Sequence, residues 1–227
     1  MSVQWAYPFC YWLFKVNLRI FAKVRTEGQE NMPAEGPLIV LCNHLSNVDP
    51  AIAGVAMARR PGFLAKSELF RFPPLAFFLY GYGAFPIERG RADTRALKWA
   101  ARRIEKGGAV VLFPEGTRSR GKGLLKAQPG IALLASMTGA PVVPVAITGS
   151  EPLQNYLKVF APVARLHIRI GKPFTLKTDG KTTREQLDRF TVESMSRLAR
   201  LLPPEYRGEY AGTVDMPFDV TADKSPS

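Results

Sequence analysis

The sequence predicts a single α/β domain whose largely parallel or mixed central sheet is flanked by helices. Three observations carry that expectation. Short apolar runs rich in Val, Ile and Leu recur at 37–43, 109–113 and 141–147. Segments with helical spacing fall between and after them, as in chains that alternate strand and helix. The 227 residues suffice for one domain with a core of its own. No fixed-period repeat competes with this pattern.

The elements follow in order. Residues 1–29 contain an apolar run from Trp5 to Phe14 that is about half the ~20 residues needed to span a bilayer, and Lys15, Asn17 and Arg19 follow at once. No basic segment precedes the run and no small-residue cleavage pattern follows it, so it does not read as a cleaved signal. On one helix, Lys15, Arg19 and Lys23 would form a basic stripe, and Trp5, Tyr7, Tyr11 and Trp12 would supply rings suited to lipid headgroups. The segment is therefore expected to lie in a membrane interface; packing on the protein's own core is the competing expectation.

Residues 30–212 are expected to form the main domain. Residues 37–43 read as a buried strand, and Asp49-Pro50 as the cap and first residue of a helix reaching Arg60. Residues 63–65 make a weak strand. The stretch 70–85 is dense in aromatics, which suit an acyl groove, a lipid contact or ordinary packing. A helix over 93–106 ends at Gly107-Gly108, and Ala109–Phe113 is a second buried strand. Residues 127–138 form a helix and Pro141–Ile147 a third buried strand. Residues 165–170 alternate cleanly between apolar and polar. A last helix over 183–202 opens on a capping box of Thr182 and Glu185. Residues 213–227 are polar and aperiodic and are expected to be a disordered tail.

The net charge is +12. Between Arg89 and Lys126 there are eleven Lys or Arg against Asp93, Glu105 and Glu115, a local excess of +8. Such a field suits an anionic partner: nucleic acid, an acidic membrane or a phosphorylated substrate. Two cysteines and two histidines are too few and too scattered for a Cys/His metal site, and Cys10 and Cys42 sit in apolar runs compatible with a reducing compartment. Neither a metal nor a cofactor is expected.

Three motifs carry chemistry. In Asn43–Asp49, a histidine follows a strand and a carboxylate lies five residues on. The carboxylate can take the proton of one ring nitrogen and leave the other as a general base for a hydroxyl. The same spacing also suits an inert turn histidine and a helix cap. In Gly83–Arg89, the guanidinium of Arg89 can hold a phosphate bidentately, or simply be a surface charge. In Phe113–Ser119, Gly116 lets a backbone approach a ligand, Thr117 and Arg118 can contact oxyanions, and Glu115 can orient an arginine or bind a hydroxyl. A tight turn with solvated charges is the competing reading.

Together these motifs resemble the lysophospholipid acyltransferase superfamily, particularly the 1-acylglycerol-3-phosphate acyltransferases. That family carries Asn-His-x4-Asp, a block ending in Pro-Ile-x-Arg, Phe-Pro-Glu-Gly-Thr-Arg-Ser and a Val-Pro-Val-like block. Here they stand as Asn43–Asp49, Phe85–Arg89, Phe113–Ser119 and Val143–Ile147, in the same order and without departure at the motif residues. The similarity runs from about Glu30 to Gly149.

The resemblance implies a glycerolipid acyltransferase-like fold and a transfer of a fatty acyl group from acyl-CoA or acyl carrier protein to 1-acylglycerol-3-phosphate, giving phosphatidic acid. It implies His44 as base and Asp49 as its orienting partner. Arg89, Glu115, Gly116, Thr117 and Arg118 would hold the acceptor, and Lys126 would assist at the phosphate or the oxyanion. A family-like Lys66 has no firm role. The enzyme would sit on the cytoplasmic face of a membrane, peripheral or monotopic, in contact with anionic lipid. Glycerol-3-phosphate or another lysolipid is the alternative acceptor.

Three rival readings are weaker. Gly116–Gly123 spells all but the last residue of a nucleotide P-loop, but Gly123 stands where a Ser or Thr must hold magnesium. Cys42 lies two residues from His44, yet a small buried hydrophobe explains it. A non-enzymatic membrane or nucleic-acid binder would use the basic stretch, but no nucleic-acid motif accompanies it and nucleic acid is not an expected partner. His167 is given no role.

Overall fold

The computed structural model describes residues 6–57, 59–88, 93–177 and 182–223. Its elements are α1 (Ala6–Phe21), β1 (Ala22–Glu27), β2 (Leu38–Cys42), α2 (Asp49–Ala56), β3 (Pro61–Lys66), α3 (Pro73–Gly81), β4 (Ala84–Ile87), α4 (Thr94–Glu105), β5 (Ala109–Leu112), α5 (Gly130–Thr138), β6 (Val142–Thr148), β7 (Ala164–Ile170), β8 (Phe174–Leu176), α6 (Arg184–Leu201) and β9 (Thr221–Asp223).

Nine strands form one sheet among the described residues, in the order β1-β7-β6-β2-β5-β3-β4, with β8 and β9 continuing from β6. The pairs β6–β2, β2–β5, β5–β3 and β3–β4 are parallel, while β6–β7, β6–β8 and β8–β9 are antiparallel. The expected mixed α/β sheet is therefore present. Its central strands are buried on both faces, which is why they read as continuous apolar runs.

Alternation along those strands divides the core in two. Ile39, Leu41, Val110, Val142 and Ala146 face the layer of α4, α5 and α6. Leu38, Val40, Cys42, Val111, Val143, Val145 and Ile147 face the layer that includes Phe14 and Leu18 of α1 and Ile52 of α2. The two layers thus lie on opposite sides of the sheet.

The N-terminal segment departs from expectation. The helix ends at Phe21, and 22–27 become an edge strand paired in parallel with β7 from Ala22–Ala164 to Glu27–Arg169. Lys23 is thus on a strand and not on a helical stripe with Lys15 and Arg19. The run Ala22-Lys-Val-Arg-Thr-Glu27 has little apolar signal because its partner is the backbone of β7, a contact that sequence spacing does not reveal. His167, given no role, is part of this edge, its Nε2 3.2 Å from Glu27 Oε1.

Within α1, Tyr7, Cys10, Phe14 and Leu18 are buried at helical spacing, while Phe9, Trp12, Ile20 and Phe21 are exposed. One face joins the core and the other is turned outward. No helix of the described residues is long and apolar enough to cross a membrane.

Two further corrections concern the C-terminal third. The capping box of α6 is one residue later than expected. Thr183 Oγ1 accepts from the Gln186 N–H, and Gln186 Oε1 accepts from the Thr183 N–H. Thr182 instead bonds Ser136 at 2.9 Å. Both registers satisfy the capping pattern, and the contact to α5 separates them. Of the expected disordered tail, residues 213–223 are built into the fold, and 224–227 lie outside the described residues. Buried Glu193 of α6 accepts from the Asp219, Val220 and Thr221 backbone N–H groups and from Thr221 Oγ1, and β9 pairs with β8. A polar, aperiodic segment hides this because its anchors are main-chain groups received by one distant carboxylate.

Candidate active site

Strands β2, β4, β5 and β6 run in one direction, so the segments that follow them gather beyond one edge of the sheet, where α/β folds place ligands. Asn43 and His44 follow β2, 113–119 follow β5, and Gly149-Ser150 follow β6.

Asn43 is the hinge between two of these strands. Its side-chain amide donates to the Ile147 carbonyl and its carbonyl accepts from the Ile147 N–H, both at 2.8 Å. That pair of bonds imitates one more rung of the β2–β6 ladder and delivers His44 at a fixed point. The backbone of His44 is then clamped by 113–119. Its N–H donates to Glu115 Oε1 at 2.8 Å, and its carbonyl accepts from the Ser119 N–H at 2.8 Å. The Phe113 ring lies 4.5 Å from the imidazole, centroid to centroid, and limits its rotation.

His44 Nδ1 is 2.9 Å from Asp49 Oδ2. Asp49 is fully buried, and its charge is met by other donors as well. Oδ2 accepts from the Leu45 and Ser46 N–H groups at 2.6 Å, and Oδ1 from Ser46 Oγ at 2.8 Å and Ser150 Oγ at 2.6 Å. A buried carboxylate needs such partners. The expected helix-cap role shifts by one residue: Val48 is the cap of α2 and Asp49 is its first residue, reaching back to the turn before the helix. The Nε2 of His44 has no hydrogen-bond partner among the described residues, and the imidazole lines a cavity of about 990 Å³. A ring held at Nδ1 by a carboxylate and without a partner at Nε2 has the arrangement that general-base chemistry on a hydroxyl requires.

The cavity is apolar over most of its wall. Phe14 of α1, Leu75, Phe78 and Leu79 of α3, Leu97 of α4 and Leu134 of α5 contribute, with Leu157 and Phe160 from the segment after Ser150. Its polar end holds His44, Glu115, Gly116, Thr117 and Arg118. Gly116 adopts φ 67°, a conformation open to glycine, and closes the turn by donating to the Phe113 carbonyl at 3.0 Å.

The sequence-derived site residues fare differently. His44 and Asp49 are brought into contact. Gly116 and Thr117 are exposed at the cavity wall, and Arg118 joins them while donating to Gln154 Oε1 at 3.1 Å. Glu115 lines the cavity while its two carboxylate oxygens hold the N–H groups of His44 and, at 3.0 Å, Leu125. Burial pushes its carboxyl up to about 7, and the nearby Asp49 charge adds to this against the two N–H bonds. Lys126 is exposed and is not among the residues lining the cavity, whereas Lys66 lines it and pairs with Glu68 at 3.1 Å. Arg89 lies outside the described residues.

Two contributors were not legible as site residues. Ser150 reaches Asp49 because Gly149, at φ 82°, turns the chain where a Cβ would meet the Arg165 carbonyl at 1.9 Å. Gln154 donates to the Leu45 carbonyl at 2.8 Å and accepts from Arg118, and Asn47 donates to its carbonyl. The position of Ser150 just after the Val-Pro-Val-like block was the one available signal.

A model of the acyltransferase family matches residues 23–148, more than half of the chain and all of the segment from Asn43 to Ser119. The chain belongs to this acyltransferase family. A 1-acyl-sn-glycerol-3-phosphate acyltransferase of Bacillus subtilis is 30% identical over 168 residues, covering 74% of this chain and 81% of that one. A chloroplastic 1-acyl-sn-glycerol-3-phosphate acyltransferase of Brassica napus is 30% identical over 152 residues, 62% of this chain, which spans 44% of that relative's length. The crystal structure of the 1-acyl-sn-glycerophosphate acyltransferase PlsC from Thermotoga maritima superposes with a TM-score of 0.60 at 26% identity, over 81% of this chain and 75% of that one. The acyltransferase resemblance read from the four motifs and the α/β expectation agree with these findings.

Proposed function

We propose that this acyltransferase moves a fatty acyl group from a thioester donor, acyl-CoA or acyl carrier protein, to the free hydroxyl of 1-acylglycerol-3-phosphate, giving phosphatidic acid. The observation that carries this reading is the His44–Asp49 pair, 2.9 Å apart, facing an apolar cavity with a polar end. The named activities of the Bacillus subtilis and Thermotoga maritima relatives support it.

In this reading Nε2 of His44 takes the proton of the acceptor hydroxyl as its oxygen attacks the thioester carbonyl. The tetrahedral intermediate collapses, the carbon–sulfur bond breaks, and the thiol leaves with a proton returned by the imidazolium. Asp49 holds the imidazole in the tautomer that leaves Nε2 basic and stabilises the imidazolium. A thioester is already activated, so positioning and one base worth about 10²–10⁴-fold suffice. The apolar wall suits the acyl chain, and Arg118, Thr117 and, from the sequence motif, Arg89 suit the acceptor phosphate. The outward faces of α1 and α3, with Trp12, Phe77 and Tyr80 exposed, support contact with one leaflet of a membrane.

The test is mass spectrometry of products from a panel of acceptors with both donors, using the intact chain and His44→Ala. Phosphatidic acid is expected from the intact chain, with turnover down at least ~10²-fold in the folded variant. Near-normal turnover in His44→Ala would end this mechanism. Preferential acylation of a phosphate-free lysolipid would end the acceptor assignment.

A further inference from the structure

Helix α4 carries a row of cations that the site does not use. Arg95, Lys98 and Arg102 of α4 and Lys106, the cap that follows it, are exposed and recur at intervals of three, four and four, which continues one helical face over about 16 Å. Arg95 approaches Asp93 and Glu88 at 3.8 and 3.9 Å, but Lys98, Arg102 and Lys106 make no ion pair among the described residues. Glu105 is the one acid of the helix. Helix α5, which packs against α4, exposes two apolar side chains one turn apart, Leu133 at 38% and Met137 at 50%.

The row lies on the side of the sheet opposite α1. α4 and α5 cover one side of the sheet, and α1 with its outward aromatic face covers the other. The α4–α5 layer also reaches the reaction site, because Thr94 and Leu97 of α4 and Leu133 of α5 line the cavity that holds His44.

We propose that the α4–α5 face docks a small acidic protein that carries the acyl thioester, an acyl carrier protein, beside the cavity. This rests on the acyltransferase reading above and names the partner that would deliver its donor. A row of four cations matches an acidic helix better than the compact phosphate group of a coenzyme. Exposed apolar side chains flanked by charge are the composition of a protein interface. The thioester arm would enter past Thr94 and Leu133.

The experiment compares the full chain with a Lys98→Glu, Arg102→Glu, Lys106→Glu variant, on detergent-dispersed 1-acylglycerol-3-phosphate. Each is assayed with the same acyl group on acyl carrier protein and on coenzyme A. The KM for the carrier thioester is expected to rise at least about 10-fold, while kcat and the acyl-CoA KM stay within about twofold. Added salt should weaken use of the carrier thioester in the wild type more than in the variant. Equal losses with both donors would overturn the docking surface in favour of coenzyme phosphates. A loss of liposome binding with unchanged carrier KM would overturn it in favour of a membrane contact.

Should the reversal unfold the chain, seen as lost turnover on acyl-CoA and an altered circular dichroism spectrum, the Gln substitutions at the same three positions take its place. They should give a smaller rise in the same KM. Wild-type turnover with acyl-CoA but not with the carrier thioester sinks the docking proposal and leaves the acyltransferase reading intact. Turnover with neither donor sinks that reading instead.

Discussion

Ser150 donates to Asp49 Oδ1 at 2.6 Å across 101 residues of chain. The bond ties the turn after β6 to the carboxylate that orients His44, and it is made by a hydroxyl with no exposure to water. A hydrogen bond to a buried charge is worth about 1.5–3 kcal/mol. Ser150→Ala should therefore lower stability by about 2 kcal/mol. It should also lower kcat by roughly tenfold with little change in acceptor KM, because Asp49 and not the acceptor loses a partner. Thermal melts and steady-state kinetics check both. Wild-type values in the two measurements would mean that Asp49 is held without Ser150.

Glu115 supplies a pH prediction. Its folded carboxyl is raised from an ordinary 4.5 to about 7, chiefly by burial. A raised acid favours the folded state most when protonated, so its contribution is full below about 4.5 and is lost as pH rises to about 7. The loss is on the order of 3 kcal/mol. Glu115→Gln cannot titrate and should flatten this slope, with a constant offset because an amide NH2 faces one of the two N–H donors. Urea unfolding from pH 4 to 8 checks it. Parallel pH dependence in the two proteins would show that burial does not shift this carboxyl.

Membrane binding should depend on the outward face of α1. Trp12 is 60% exposed and Ile20 66%. Replacing both by Ser should weaken co-sedimentation with neutral liposomes roughly tenfold or more, in a way that high salt does not mimic. Turnover on detergent-dispersed acceptor should persist. Removing the whole segment is a poorer test, because Phe14 and Leu18 belong to the core and β1 pairs with β7. Undiminished sedimentation of the double variant would move the membrane contact elsewhere.

Arg89→Lys keeps the charge but loses the bidentate fork. The expected result is about a tenfold fall in kcat/KM for the phosphate-bearing acceptor, with donor KM little changed. Steady-state kinetics on acceptors with and without phosphate decide it. Equal damage on both would assign Arg89 to structure.

Local chemistry made much of this molecule legible. The three Val/Leu/Ile runs became β2, β5 and β6 because strands buried on both faces have no other composition available to them. Asn43, His44 and Asp49 lie within seven residues, a spacing that suits a base and its partner as well as an inert turn histidine and a helix cap, and the resemblance of four motifs set the acyltransferase expectation. The apolar spacing of α6 likewise announced a helix packed on the sheet.

Tertiary structure decided what depends on groups distant in sequence. Nothing in the sequence shows that Glu115 also holds the N–H groups of His44 and Leu125, which the fold brings to its two oxygens. Ser150 is an unremarked serine until Gly149 aims it at Asp49. Residues 22–27 and 221–223 become strands because the backbone of β7 and of β8 lies open beside them. The physical reason is the same in each case. Periodicity and motif spacing report on neighbours within a turn or two of chain, whereas a main-chain ladder or a buried carboxylate is satisfied by whichever donor the fold brings near, and that partner leaves no local pattern in the sequence.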